Sequence, residues 1–131
     1  MKLKKLRDND YMLRNEDKIV GCFLYDCYDE EIARIDALFV DPESFALRYC
    51  MITIGGLLGT RGKTLLLPKG ILERKGIGKV SASKSQAVIF DAPAPSDAGE
   101  ITQAEELEIH GYFDVQPYFD AEEEVKDGEE G

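Results

Sequence analysis

The sequence predicts a mainly β domain: a small antiparallel β-barrel or rolled sheet of about six short strands, with one short helix near the C-terminus. Three observations predict this fold class. Short apolar segments recur before residue 92, several with the alternating period of a half-buried strand. Connections of a few residues with turn chemistry separate them, and no convincing helical period occurs before residue 100. The 131 residues suffice for one domain plus tails.

The strand assignments follow from apolar alternation and from turn residues. Alternation is clearest in the segment 31–40, where Ala33, Ile35 and Ala37 are separated by polar residues. The proline-containing turn 41–44 follows it. The basic, glycine-punctuated segment 68–79 is interpreted as a loop or a single turn. The six predicted strands cover residues 18–25, 31–40, 45–54, 63–67, 79–82 and 86–90, the last two as a closing hairpin.

The region after the predicted strands changes character. Thr102 and Glu105 form a capping box, and Gly111 is placed to end a helix, so one short helix is predicted over 103–110. The segment before this helix is a linker by its Pro, Ala and Gly content. The predicted organisation is a leader of uncertain order (1–17), a β-barrel domain (18–92), a linker, helix and aromatic segment that packs on it (93–120), and a disordered acidic tail (121–131).

Four of the chain's twelve aromatic residues lie within eight positions just after the predicted helix: Tyr112, Phe113, Tyr118 and Phe119. One interpretation is that they cover an open face of a small barrel, which needs the added core. The other is that they form a partner-binding interface, because aromatic residues often anchor such contacts. We expect Phe113 to be structural, and Tyr118 or Phe119 to contribute to a homo-oligomer, with a dimer favoured.

Charge is unevenly distributed along the chain. Residues 1–96 carry a net charge of +2 and residues 97–131 carry −12, which together give the overall −10. A chain without a broad basic face is not expected to bind nucleic acid directly. The N-terminal cations are interpreted as a solvated tail, with weak anion contact as the alternative; they are Lys2, Lys4, Lys5 and Arg7.

The cysteines and the apolar runs indicate the cellular compartment. Cys22, Cys27 and Cys50 are an odd number without a C-x-x-C pair, so reduced thiols are expected rather than a disulfide or a zinc site. Cys22 and Cys50 are predicted in the core, and Cys27 exposed and reactive in a turn. The longest uncharged run is too short to span a bilayer, and the N-terminus lacks an apolar signal core. A cytoplasmic protein is expected.

The segment GGLLGTRGKT (55–64) nearly matches the phosphate-binding pattern G-x-x-x-x-G-K-[ST]. Its first glycine falls on Leu57, and Gly56 comes one position too early. A phosphate-binding loop must also open a helix, whereas the following TLLLPKG predicts a strand. Nucleotide binding is therefore not expected. The glycines are interpreted as a structural loop between two strands, made of Gly55, Gly56, Gly59 and Gly62.

His110 and one acidic turn are the remaining candidates for a functional site. His110, the only histidine, has no Ser or Cys motif to activate, so it is interpreted as a surface residue or a helix C-terminal cation rather than a catalytic base. The acidic turn of Asp26, Asp29, Glu30 and Glu31 lacks the alternation and glycine of an EF-hand and is interpreted as solvated. No catalytic, cofactor or metal site is expected.

The ordered part of the sequence resembles the PRC-barrel domain family. The motifs are G-x-x-x-x-D at 21–26, I-x-x-I-x-x-L-x-V-D-P-E at 32–43, LRYCMITIGGLLG and LLLP, and the C-terminal ITQAEELEIHGYFDVQPYF is also similar. The likeness covers roughly residues 15–119. The family includes the cytoplasmic part of the photosynthetic reaction-centre H subunit and the C-terminal half of the ribosome maturation factor RimM. The chain departs from it at Asp29-Glu30, where the family prefers Asp-Gly.

The resemblance implies a PRC-like β-barrel that is not an enzyme. The expected function is a binding or adaptor module whose protein partner is unknown. One alternative is a ribosome-maturation or RNA-processing accessory that acts through a ribosomal protein. Another is a peripheral accessory of a photosynthetic or electron-transport membrane complex.

Overall fold

Two four-stranded sheets and two helices make up the fold of the computed structural model, which describes residues 2–55, 62–96 and 100–119. Two single turns of 3₁₀-helix, Asn15–Asp17 and Lys69–Ile71, connect strands. The strands are β1 (Lys4–Leu6), β2 (Phe23–Tyr25), β3 (Glu31–Arg34), β4 (Ala37–Val40), β5 (Leu47–Gly55), β6 (Gly62–Pro68), β7 (Leu72–Gly76) and β8 (Lys79–Ala82), and the helices are α1 (Gln86–Phe90) and α2 (Gln103–Phe113).

The first sheet has the order β1-β4-β5-β6, and all its pairs are antiparallel. The second has the order β3-β2-β8-β7, and its central pair, β2 with β8, is parallel. The predicted mainly β class is confirmed. The described strands number eight rather than about six, and their hydrogen bonds form two separate sheets. The all-antiparallel expectation is wrong at β2–β8, because the long excursion through the first sheet brings the chain back in the direction of β2.

The core lies around the first sheet. All four residues of β4 are buried, and so are three consecutive leucines of β6, Leu65, Leu66 and Leu67. Because successive side chains of a strand point to opposite faces, three buried residues in a row mean that both faces of β6 are covered. In contrast, β7 is mostly exposed.

The predicted strand 31–40 is two strands that belong to different sheets. The Ile35 N–H donates to the carbonyl of Cys22 at 2.9 Å, and Cys22 directly precedes β2 of the second sheet. The next residue, Asp36, donates to the Met51 carbonyl of the first sheet at 2.9 Å. The chain therefore crosses from one sheet to the other between β3 and β4.

Three local predictions differ from the structure, and the leader, whose order was left open, contains a strand. Residues 86–90 form α1 rather than a strand, because the Ser85 side chain accepts from the Val88 N–H at 3.3 Å and caps a helix. The loop assigned to 68–79 contains β7. The predicted strand 18–25 is extended only at 23–25, and the leader contributes β1, which pairs with β4.

Helix α2 confirms the predicted capping box. The Glu105 N–H donates to the Thr102 hydroxyl at 3.1 Å, and the Glu105 carboxylate accepts from the Thr102 N–H at 3.0 Å. Hydrogen bonds from the Ser96 and Thr102 N–H groups lower the pKa of Glu105 to about 2. Gly111 does not end the helix, which continues to Phe113 and ends at Asp114 in the left-handed conformation (φ 56°). Neither described helix has the length and apolar character needed to cross a membrane.

Candidate functional site

The four aromatic residues of the predicted interface occupy three different environments. Phe113 is 1% exposed and belongs to the core. Tyr112 is 39% exposed, and its hydroxyl donates to the Val88 carbonyl at 2.6 Å, which ties α2 to α1. Tyr118 and Phe119 are half-buried, with ring centroids 4.9 Å apart. The four residues therefore form two separate ring pairs, Tyr112 with Phe113 at 5.0 Å and Tyr118 with Phe119, and only the second pair is half-buried in both members.

Tyr118 belongs to a polar cluster that the sequence did not predict. The Tyr49 hydroxyl of β5 donates to Glu106 Oε1 at 2.8 Å, and the Tyr118 hydroxyl donates to the same oxygen at 2.5 Å. The Tyr49 hydroxyl also lies 2.9 Å from His110 Nε2. Glu106 and His110 are 5% and 4% exposed, so α2 buries two of its ionisable side chains, at positions one helical turn apart.

The hydrogen atoms of this cluster can be assigned from the bonds themselves. Each phenol has one hydrogen, and both are directed to Glu106 Oε1. The Tyr49 oxygen then has to accept from His110, which places the imidazole hydrogen on Nε2. His110 Nδ1 is buried and has no hydrogen-bond partner in the described part of the chain.

Burial controls the protonation of these groups. It raises the pKa of Tyr49, and burial together with the hydrogen bond to Glu106 raises the pKa of Tyr118, so both phenols keep their hydrogens. Burial also lowers the pKa of His110, against the opposing effects of Glu106 and of the Val115 and Gln116 backbone. The imidazole is therefore neutral at pH 7. The prediction that His110 is a surface residue or a helix C-terminal cation is wrong, because the α2 face that carries it packs on the first sheet, where Tyr49 contacts the imidazole.

Arg48 joins the cluster through a bulge in β5. In the register with β4, Val40 pairs with Leu47 and Phe39 pairs with Tyr49, so Arg48 has no opposite residue. A bulge of this kind re-aims a side chain. The Arg48 guanidinium lies 4.3 Å from the Tyr118 ring centroid, within the range of a cation–π contact.

Arg48 retains unused hydrogen-bonding capacity. Its ion pair with Asp41 is long, at 4.0 Å, and its Nε is buried without a hydrogen-bond partner among the described residues. Asp41 is itself held by the turn after β4, where its Oδ1 accepts from the Ser44 and Glu43 N–H groups at 2.9 and 2.8 Å. Those backbone hydrogen bonds lower the pKa of Asp41, so it stays ionised next to Arg48.

These residues line a surface cleft of about 530 Å³. The cleft lies between the residues just before β1, the β4–β5 turn, the first half of α2 and the segment that follows α2. Its size is in the usual range for ligand and peptide pockets. Its walls combine apolar, aromatic and charged groups: Lys2, Leu3, Asp41, Arg48, Ile101, Gln103, Glu106, Tyr118 and Phe119.

Two paired strands, β5 and β6, flank the predicted glycine loop. Gly55 pairs with Gly62 across the β5–β6 ladder, and Gly55 adopts φ 76°, a conformation that favours glycine. Lys63 lies within β6, and its Nζ donates to the Phe90 carbonyl at 2.7 Å. A strand thus follows the GKT sequence where a phosphate-binding loop would require a helix. Gly56 and Gly59 lie outside the described residues.

The acidic turn has a structural role at one position. Asp26 is 1% exposed, and its carboxylate accepts from the N–H groups of Glu30 at 2.8 Å, Tyr28 at 2.9 Å and Gln86 at 3.0 Å. The hydrogen bond from Glu30 contributes most to lowering the pKa of Asp26. The solvated-turn prediction is wrong for Asp26, which fixes the β2–β3 turn and the start of α1. It applies to Asp29, Glu30 and Glu31, which are exposed.

The cysteines lie where the sequence predicted. Cys22 and Cys50 are buried and Cys27 is exposed, all three as free thiols. Burial raises the pKa of Cys50 to about 12, so its thiol is unreactive. Among the described residues, no three His, Cys, Asp or Glu side chains are grouped closely enough to hold a metal ion.

The polar cluster had one signal in the sequence. Glu106 and His110 are spaced i, i+4, which places them on one helix face together with Ile109 and Phe113. Two ionisable residues on the apolar face of a helix indicate a buried hydrogen-bond network. Arg48 had no such signal, because its orientation depends on the bulge.

Comparison with known proteins gives no assignment: no protein-family model matches the chain, and no curated protein matches it.

Proposed function

We propose that this chain is a non-catalytic protein-binding module of the PRC-barrel type, and that it docks a partner at the cleft and its aromatic wall, Tyr118 and Phe119. The composition of the cleft supports the proposal. Its described lining includes a guanidinium, two aromatic rings and aliphatic side chains, and it contains no serine, cysteine or histidine that could act as a nucleophile with its base. Aromatic residues and arginine are the residue types that anchor protein interfaces.

The polar cluster beneath the cleft supports a binding role in a second way. Glu106 Oε1 is used by two phenols, and the Tyr49 oxygen bridges Glu106 and His110. These hydrogen bonds hold the segment after α2 against β5. The aromatic wall is therefore preorganised, which lowers the entropic cost of binding.

The resemblance to PRC-barrel domains is the reason for the fold part of the proposal. The motif at 32–43 forms β3, β4 and the turn after β4, and LLLP forms the end of β6. In this proposal the two sheets are the two halves of a rolled barrel. The module docks either a second copy of itself, as a dimer, or another protein. The ribosomal and membrane-complex alternatives differ from it only in the partner's identity.

Affinity capture with the full chain tests this function. Phe119→Ser removes part of the aromatic wall, whereas Tyr28→Ser changes a 73% exposed aromatic residue in the β2–β3 turn and serves as the matched control. We expect Phe119→Ser to lose the captured partner, or the dimer in sedimentation velocity, and Tyr28→Ser to keep it. If both variants behave like the wild type, the docking surface lies elsewhere. If the wild type stays monomeric at high concentration, self-association is excluded.

A further inference from the structure

We propose that the cleft binds an acidic peptide segment of a partner protein, with the Arg48 guanidinium as the main contact to a carboxylate. This inference rests on the proposed binding function and specifies the chemistry of the partner. It depends on three features of the molecule: the unfinished hydrogen bonding of Arg48, the cations along β1, and the apolar walls of the cleft.

Arg48 is suited to a carboxylate that arrives from outside the fold. Its bulged position and its contact with the Tyr118 ring keep the guanidinium plane in place. Asp41, at 4.0 Å, is too distant for a short hydrogen bond, and the Nε donor is buried without a partner in the described part of the chain. The Arg48 side chain is 25% exposed, so a carboxylate in the cleft would bond to the guanidinium N–H groups that face it rather than to the buried Nε.

The cations of β1 extend this site beyond one carboxylate. Lys4 and Lys5 follow the cleft residues Lys2 and Leu3 along the chain. Their ammonium groups lie over aromatic rings, Lys4 at 5.0 Å from the Phe45 centroid and Lys5 at 5.9 Å from that of Phe39. Neither forms an ion pair within the described residues. A single small carboxylate would use Arg48 alone, whereas an acidic peptide paired along β1 would also place acidic residues beside Lys4 on one face of the strand and Lys5 on the other.

The position of β1 favours the same ligand. Among the described strands β1 is at the end of its sheet, so its outer backbone edge is open to an added strand. Lysines on such an edge repel a second basic strand, and they attract an acidic one. Two copies of this chain would therefore not pair through β1.

The apolar walls add a second requirement for the ligand. Leu3, Ile101 and Phe119 line the cleft beside Arg48. A peptide that alternates acidic and apolar residues would bury its apolar side chains on these walls while its carboxylates reach the cations.

The test uses the full chain and a synthetic peptide, Asp-Ala-Glu-Glu-Glu-Val-Lys-Asp-Gly-Glu-Glu-Gly, which has the sequence of residues 120–131. The control peptide replaces each Glu by Gln and each Asp by Asn. Binding is followed by fluorescence anisotropy of the labelled peptide and by amide chemical shifts of the protein. We expect only the acidic peptide to bind, with shifts in β1, in the β4–β5 turn and at 118–119. Its affinity should fall as ionic strength rises from about 0.01 M to about 0.15 M.

Two arginine variants decide the role of Arg48. Arg48→Met keeps a stem over Tyr118 and should weaken peptide binding by about 10-fold or more. Arg34→Met is the matched control, because Arg34 stacks on the Phe23 ring at 4.5 Å in the other sheet. It should change the affinity by less than about 2-fold. Circular dichroism establishes that both variants are folded.

Several outcomes are informative. Equal loss with both variants, or equal binding of the neutral peptide, overturns the inference. Binding of benzoate with the same affinity as the peptide shows a small-carboxylate site and also overturns it. Tighter peptide binding when Glu122, Glu123 and Glu124 are changed to Gln supports the site, since the chain's own acidic residues then compete for it. If Arg48→Met still captures a partner that Phe119→Ser loses, the binding function stands and the acidic ligand is excluded.

Discussion

The buried face of α2 has an apolar region and a polar region, which hold the helix to the β-sheets by different means. In the apolar region, Ile109 and Phe113 are each 1% exposed and join the hydrophobic core. In the polar region, Glu106 and His110 bond to Tyr49 and Tyr118. Apolar burial is non-directional and scales with area. The polar contact depends on geometry, because each donor needs its own acceptor. The first region supplies stability, and the second fixes where the cleft wall lies.

The largest expected effect comes from the apolar region. Phe113→Ala removes a fully buried ring and should lower the free energy of unfolding by about 3–5 kcal/mol, enough to unfold a marginal domain. Urea denaturation followed by circular dichroism measures the change. Tyr112→Ala is the neighbouring control, since Tyr112 is 39% exposed and should cost less. If the two variants lose the same stability, Phe113 does not belong to the core.

The two regions also differ in how far the sequence predicts them. Phe113 was expected to be structural, because it is an aromatic residue just past the predicted helix. The polar region was missed because Glu106 and His110 are residue types that are usually exposed. Their burial depends on Tyr49, which is 57 positions earlier than Glu106 in the chain. Local periodicity carries no information about such a pairing.

The strands show the same limit. β5 and β6 were predicted because burial on both faces leaves nearly continuous apolar runs. β1 and β7 were missed because KKL and LERKG are mostly polar, and their ladders depend on the neighbouring strands β4 and β8. Segment 86–90 was assigned to a strand from its apolar composition. The competing signal was Ser85, which caps a helix whose first N–H also bonds to Asp26. Tertiary contacts therefore determine the secondary structure of those segments whose own composition is ambiguous.

The polar region should respond to loss of one oxygen atom. Tyr49→Phe keeps the ring but removes the hydroxyl that donates to Glu106 at 2.8 Å and lies 2.9 Å from His110 Nε2. Two buried polar groups then lose a partner, so the free energy of unfolding should fall by about 1–3 kcal/mol. Tyr112→Phe is the control, because it loses a hydroxyl that bonds at the surface and should change stability by about 0.5 kcal/mol or less. Equal stability of Tyr49→Phe and the wild type would show that the network adds nothing to folding.

The smallest expected effect is a pH dependence that belongs to the polar region alone. Burial lowers the pKa of His110 in the folded protein, whereas in the unfolded chain it returns to about 6.5. Below that pH the unfolded state binds a proton that the folded state does not, so stability falls as the pH drops from about 7 to about 5.

His110 is the only histidine, so its imidazole signals report this pKa directly by NMR, in the folded protein and in urea. Carboxylates with lowered pKa values, such as Glu105 at about 2, act only at more acidic pH. In His110→Gln the fall between pH 7 and 5 should disappear. A folded-state pKa equal to the value in urea would show that water reaches the imidazole and that the polar region is not sealed.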